Sequence, residues 1–455
     1  MQVYHHRMSP EDQVYLRDFF RALEDRPLDP EDPAYIGLYD DPTLGLEDPA
    51  ELLLRSIEWA PSNTSAQLLS GFRGAGKSTE LRRLRRDLRE AGYLVLLFDV
   101  FDYLSPSAPI DVSDFVMVLA GALSDGLEEA NVLKHAPSHE TYWARLKNFM
   151  QSRVEFHEVV GKMGAVDIKA SLRTDPTFRQ RVQQHAAGHL AELVKDMRAY
   201  VSETISMIPE DQIGSGLVLI VDSIENISGT ITNSEDVQAS LERLFTSHAD
   251  NLHLPLVHGV YTVPPWLKIR APGISGRFSG GLQVLHPLTV RAPGGARDPA
   301  PAALDALCHL VSARGDWARL LGERARLDRL ALESGGHLRD LMRLLSEIVR
   351  RADQLPVSET TIQRAITQVK SELLPIAIED ARWLQRIAKT HDASLLDISQ
   401  LPRLVTFLDS HLVLCYRNGD EWYDVHPLVR DEVEQLARRR EADAEEGEAA
   451  GPPGA

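Results

Sequence analysis

Short, near-continuous apolar runs alternate along the first two thirds of this chain with longer amphipathic stretches, the pattern of buried strands separated by helices. Runs at 66–70, 93–100, 217–222, 254–263 and 282–290 read as strands, and stretches at 48–59, 78–91, 111–127 and 235–249 read as helices. Strand, helix, strand alternation predicts an α/β sheet with parallel strands and right-handed crossovers. Ahead of it, 9–24 reads as a helix capped by Ser9, with Pro10 at its first position and Glu11 and Asp12 in its first turn. A Pro- and Asp-rich strap follows at 27–49, with Tyr35 and Tyr39 placed to pack on the core or to stack on a base. Residues 128–212 exceed the needs of one crossover and read as a helical insertion, with a strand-like run at 165–172 and a long helix at 176–206.

Beyond a Pro/Gly/Ala linker at 292–301 the pattern is helical to Lys370. From 374 to 437 two helical stretches precede two apolar runs flanking Arg417-Asn418-Gly419-Asp420, a hairpin turn, and helices followed by a hairpin make a winged helix. The expected organisation is an N-terminal helix and strap (1–60), an α/β core (61–292), an all-helical lid (293–371), a winged helix (372–438) and a disordered acidic tail (439–455).

The strongest chemical signal lies between the first strand and its helix. Gly71-Phe72-Arg73-Gly74-Ala75-Gly76-Lys77-Ser78, followed by Thr79, reads G-x-x-x-x-G-K-S. A strand, a glycine loop and a helix N-terminus aim backbone N–H groups at one phosphate. Lys77 is placed to bridge the outer phosphates of a bound ATP or ADP, and Ser78 to hold Mg²⁺. The run 217–222 ends in Asp222, a carboxylate at the C-terminal edge of a buried strand, where ligands of open α/β sheets sit. Its expected role is on the Mg²⁺ water shell beside Ser78. Ser223 occupies the next position, and a second acid, Glu225, follows three residues after Asp222. Thr262, at the end of the fourth run, stands where a polar residue could sense a γ-phosphate or simply form a turn. Arg339 sits in the first turn of a helix opened by Gly335-Gly336, an unfavourable end for a cation, which points to a salt bridge or a phosphate.

Other signals narrow the partners. The net charge is −18, which opposes a phosphate backbone except where basic residues concentrate on one face. Between 374 and 437, 11 acidic residues face 6 basic ones, and Asp420-Glu421 at the hairpin tip is acidic. Cys308 and Cys415 suggest neither a disulfide framework nor a zinc site, and the absence of a long apolar run or a signal-peptide core fits a cytoplasmic protein. His185 and His189, four apart on the expected long helix, have a spacing that suits a metal, without a third ligand in view.

The order of these parts resembles the AAA+ ATPases of the initiator type and the related STAND signalling ATPases. The resemblance implies that Arg339 matches the lid arginine that reports the γ-phosphate. His426, in Val425-His426-Pro427-Leu428, resembles the histidine that holds ADP in closed STAND proteins, with Pro427 in place of an aspartate. Ser223 departs from the family, which usually has a glutamate beside the strand aspartate, so either Glu225 reaches the attacking water or hydrolysis is slow. The reading from sequence is therefore a slow ATPase switch that assembles with copies of itself and with separate sensor or effector proteins, by association in bacterial antiviral defence or stress signalling. A DNA-binding ATPase of the replication-initiator or transposition-regulator kind is the alternative, and a scaffold that never turns over is a third.

Overall fold

The computed structural model describes residues 8–133, 140–152, 163–186, 188–230, 232–294, 297–395 and 397–449. The chain divides into two compact units, one formed by Asp48–Arg73 and Lys77–Val284, the other by Met1–Glu47, Gly74–Gly76 and Leu285–Ala455.

The first unit is built on a five-stranded sheet of β1 (Ser65–Gly71), β2 (Leu94–Asp99), β3 (Leu217–Asp222), β4 (Val257–Val263) and β5 (Leu282–Leu285), in the order β2-β3-β4-β1-β5. The β1–β4, β3–β4 and β2–β3 pairs are parallel. β1, β3 and β4 are buried along their whole length, which explains why their sequences read as apolar runs and not as alternations. The register sets Asp99 opposite Asp222 and Leu69 opposite Thr262, so three polar ends line one edge of the sheet beside the loop that leaves β1. β5 ends at Leu285 and does not extend to 290: Pro287 has no N–H to donate to a ladder.

The helix Val112–Glu129, capped by Asp111 through the backbone N–H of Ser113, is buried on nearly every side, Phe115 through Ala120 having no exposure. Such a helix must be covered all round, and the insertion helices Tyr142–Gln151, Ala165–Thr174, Pro176–Ala186 and Leu190–Ser206 lie on this unit. Gly121 admits the Trp143 indole, since a Cβ there would come within 2.2 Å of it. Asp125 collects the Tyr103 hydroxyl (2.8 Å), the Trp143 Nε1–H (2.9 Å) and Lys169 Nζ (2.6 Å).

Two expectations for this insertion are corrected. Residues 165–172 are helical, not strand-like: Ile168 and Leu172, four apart, are buried while Val166 is 79% exposed, the face pattern of a helix. The long helix at 176–206 is two, one ending at Ala186 and one starting at Leu190 with His189 as its N-cap. His185 and His189 therefore do not share a helix face.

In the second unit the helix Pro10–Ala22, with Ser9 accepting from the Asp12 N–H, joins a core with the helices Pro301–Ser312, Trp317–Leu321, Arg324–Glu333, Leu338–Arg351 and Glu359–Ser371. Leu16, Phe19 and Leu23 pack in the same cluster as Leu307, Leu310 and Leu344, and the Tyr15 hydroxyl donates to the Asp316 carbonyl at 2.6 Å. Gly336 has φ +73, and a Cβ on it would come within 1.9 Å of the Leu288 carbonyl oxygen. Gly336→Ala is expected to lower stability by about 3 kcal/mol, from left-handed strain plus overpacking; urea unfolding checks it.

The winged helix follows, with the helices Ala381–Thr390 and Leu401–Asp409 and the antiparallel pair β6 (Val413–Asn418) and β7 (Asp420–Val425). Gly419 turns the hairpin at φ +97, and Tyr416 and Trp422 stack across it at 4.5 Å. The expected disordered tail is corrected as far as Ala449, because the last helix spans Arg430–Ala449. Ala, Glu and Arg are strong helix formers and carry a helix past its last packed residue. The fold is thus α/β, a P-loop parallel sheet with a helical insertion, followed by an all-helical lid and a winged helix. No helix among the described residues is long and apolar enough to cross a membrane.

Candidate nucleotide site

β1 delivers the chain to Gly71, and the phosphate-loop helix starts at Lys77 and runs to Glu90. Gly74 and Gly76 have φ of +87 and +97, conformations that side chains with a Cβ rarely adopt. Such turns are the kind in which successive N–H groups can face an anion. Lys77 is buried, and its ammonium donates to the carbonyls of Gly71 and Phe72, both at 2.8 Å. Its third partner is Glu225 Oε1 at 3.0 Å.

Asp222 reaches the same place from the end of β3. The Ser78 hydroxyl hydrogen-bonds its carboxylate, so the two groups expected at Mg²⁺ are already adjacent. Burial raises the Asp222 pKa to about 6, with the Glu225 charge adding to the rise and the Ser78 and Ser223 hydrogen bonds and Lys77 opposing it. Glu225 is 7% exposed, and its Oε2 has no hydrogen-bond partner. A buried carboxylate oxygen left without a donor is costly, and its place beside Lys77 fits a site whose remaining partner is a ligand. Arg73 anchors the loop by donating to Asn226 Oδ1 at 2.9 Å and to the Asn226 carbonyl at 3.2 Å.

Why Glu225 stands where it does is legible locally. Ser223 takes a left-handed conformation, φ +71, and turns its hydroxyl to Asp99 Oδ2 at 2.7 Å. The chain then coils into a short turn, Ile224–Asn226, that swings Glu225 back over Lys77. Thr262, with no exposure, braces this turn: its Oγ1 accepts from the Ile224 N–H at 3.0 Å. Thr262 holds the Glu225 turn in place. Asp99 and Asn226 were not singled out from the sequence, although Asp99 ends an apolar run just as Asp222 does.

Arg339 and His426 belong to the second unit. Arg339 pairs with Asp25, Nε to Oδ2 at 2.6 Å. His426 has no exposure: its Nε2 meets Asp340 Oδ2 at 3.2 Å, and its Nδ1 accepts from the Leu428 N–H at 3.3 Å. Asp340 also receives His337 Nδ1 at 2.7 Å and Arg343 at 3.2 Å, and these partners hold its carboxyl far below the usual range against the opposing effect of burial. This buried cluster spans lid and winged helix: His337, Asp340 and Arg343 are neighbours on one helix, but His426 lies 86 residues beyond Asp340, so local motifs do not reveal the pairing.

The loop, the helix N-terminus and the carboxylate at the sheet edge are those of a P-loop nucleotide-binding protein. Among solved structures the chain is similar to the Aeropyrum pernix ORC2 protein (12% identity over 93% of this chain and 98% of that one, TM-score 0.39). It is likewise similar to a Walker-type ATPase of Pyrococcus abyssi (12%, 91% and 99%, TM-score 0.40) and to Cdc6p of Pyrobaculum aerophilum (12%, 92% and 98%, TM-score 0.36). No family model and no curated protein matches it.

Proposed function

We propose that this chain binds ATP with Mg²⁺ at the loop Gly71–Ser78 and hydrolyses it. The observation that carries the reading is the convergence of Lys77, Ser78, Asp222 and Glu225 beside a glycine loop with left-handed Gly74 and Gly76. Bound Mg²⁺ would neutralise phosphate charge; Ser78 and Asp222 would hold it. Gly74, Ala75 and Gly76 would offer backbone N–H groups with Thr79 behind them, and Lys77 would turn from its loop carbonyls to the outer phosphates. Glu225 would orient and deprotonate the attacking water, the part that a residue next to Asp222 usually plays, with Thr262 positioning its turn. Arg339 and His426 remain the candidates by which the second unit reads nucleotide state, which requires each to leave its present partner, Asp25 or Asp340.

Because Asp222 must be ionised to share Mg²⁺, its raised pKa gives a signed pH dependence. Mg²⁺-supported nucleotide affinity is expected to hold above pH 6 and to fall about tenfold per pH unit below it, measured by fluorescent-nucleotide titration. The stability sign is the reverse: a carboxylate whose pKa is raised on folding destabilises the ligand-free protein above pH 6, and that penalty fades as pH falls toward the ordinary value of 3.8.

For the role served by this ATPase, a nucleotide-gated assembly switch and a DNA-engaging initiator make opposite demands. One of the similar structures is described as an Aeropyrum pernix ORC1 protein in complex with DNA. Against DNA stands the winged helix itself: the only basic side chain of its second helix, Leu401–Asp409, is Arg403, and Arg403 is paired through two nitrogens with Asp380. The deciding experiment is the nucleotide that accompanies the purified protein, its mass after exchange to ATP and Mg²⁺, and its retention on duplex DNA. Bound ADP and assembly on ATP support the switch, while salt-sensitive retention on DNA without assembly supports the initiator.

A further inference from the structure

The buried cluster around Asp340 holds more imidazole than a nucleotide switch uses. Asp340 lies in the first turn of Leu338–Arg351, His337 caps that helix, and His411 stands at the entrance to β6 in a left-handed conformation, φ +60. One ring nitrogen from each histidine and one Asp340 oxygen lie within 4.8 Å of one another. The His337 and His411 rings meet edge to face, with centroids 4.9 Å apart. His337 and Asp340 are buried, and His411 is partly so.

We propose that His337, Asp340 and His411 form a transition-metal site, suited to Zn²⁺, that staples the lid helix to the winged-helix hairpin. Two imidazole nitrogens and one carboxylate oxygen are the donors Zn²⁺ takes, at about 2.0–2.2 Å. Bonds of that length place donors about 3.3 Å apart, so the group closes by small side-chain rotations. His426, donating from Nε2 to Asp340, and Arg343, donating to its other oxygen, hold the carboxylate in orientation, the outer support that metal sites require. Water would complete the fourth position. The site sits astride Arg339, so metal occupancy would fix the helix turn that carries this residue.

The test uses the full chain, stripped with a chelator and titrated with Zn²⁺ by calorimetry, then with Co²⁺ by visible absorption. Expected are one strong Zn²⁺ equivalent, a rise in melting temperature, and the intense cobalt bands of a four-coordinate site. His411→Ala is expected to weaken binding at least tenfold and to abolish the melting shift, whereas the double variant His185→Ala/His189→Ala is expected to bind as the parent does. Equal Zn²⁺ binding in parent and His411→Ala, or only the weak cobalt spectrum of six-coordinate water, overturns the proposal. Should His411→Ala not fold, Asp340→Asn replaces it, and the cobalt spectrum of the parent decides by itself.

Discussion

Lys77→Ala is expected to remove nucleotide binding and also to destabilise the ligand-free protein. Loss of a desolvated ammonium facing phosphate weakens binding by about 2–5 kcal/mol, so at least about 30-fold in equilibrium titration. The second effect follows from this structure alone. Lys77 and Glu225 are a buried ion pair, 3.0 Å apart with side chains 3% and 4% exposed. Removing one member strands the other charge in a medium that solvates it poorly, an effect of about 3–5 kcal/mol. Urea unfolding of Lys77→Ala without nucleotide should show it. The double variant Lys77→Ala/Glu225→Gln separates the two consequences, because it leaves no stranded charge. Its stability should return most of the way to that of the parent while nucleotide binding stays lost. If Lys77→Ala unfolds at the parental denaturant concentration, the pair contributes nothing, and Lys77 does not depend on Glu225 in the free protein.

What could be read from the sequence, and what could not, divides by range. The loop 71–78 and the run 217–222 are contiguous signals whose geometry follows from a few consecutive residues, and the strands, the caps Ser9 and Asp111, and the hairpin at Gly419 are local in the same sense. The alternation at 165–172 misled because Val, Ile and Leu at mixed spacing satisfy a period of two as well as a helical face, and only packing of Ile168 and Leu172 with Val166 outside settles it. The tail misled because low hydrophobicity argues against a packed core but not against a helix extending one that is already nucleated. Two features were beyond local reading. The first is how Ser223 turns away to Asp99, which requires the register of β2 against β3. The second is the Asp340 cluster, assembled from the lid, the entrance to β6 and the end of β7. Chain topology alone brings those residues together.

Glu225→Gln is expected to leave ATP binding within about threefold of the parent and to lower the hydrolysis rate by about 10²–10⁴, the range for loss of a general base. The expectation rests on the two oxygens of Glu225 having different tasks. Oε1 pairs with Lys77, while Oε2 is buried without a partner. A glutamine keeps the shape and an oxygen for Lys77 but cannot take a proton from water. Thr262→Val should act through Glu225, since it removes the Oγ1 that accepts from the Ile224 N–H and leaves that donor buried. Hydrolysis should fall less steeply, by about tenfold, and Thr262→Ser, which keeps the hydroxyl, should recover most of it. A parental rate in Glu225→Gln would remove Glu225 from the chemistry and leave it as the counter-charge of Lys77. A parent that releases no phosphate, alone or with partners, would favour the scaffold reading, in which the left-handed Ser223 marks a site that holds ATP without turning it over.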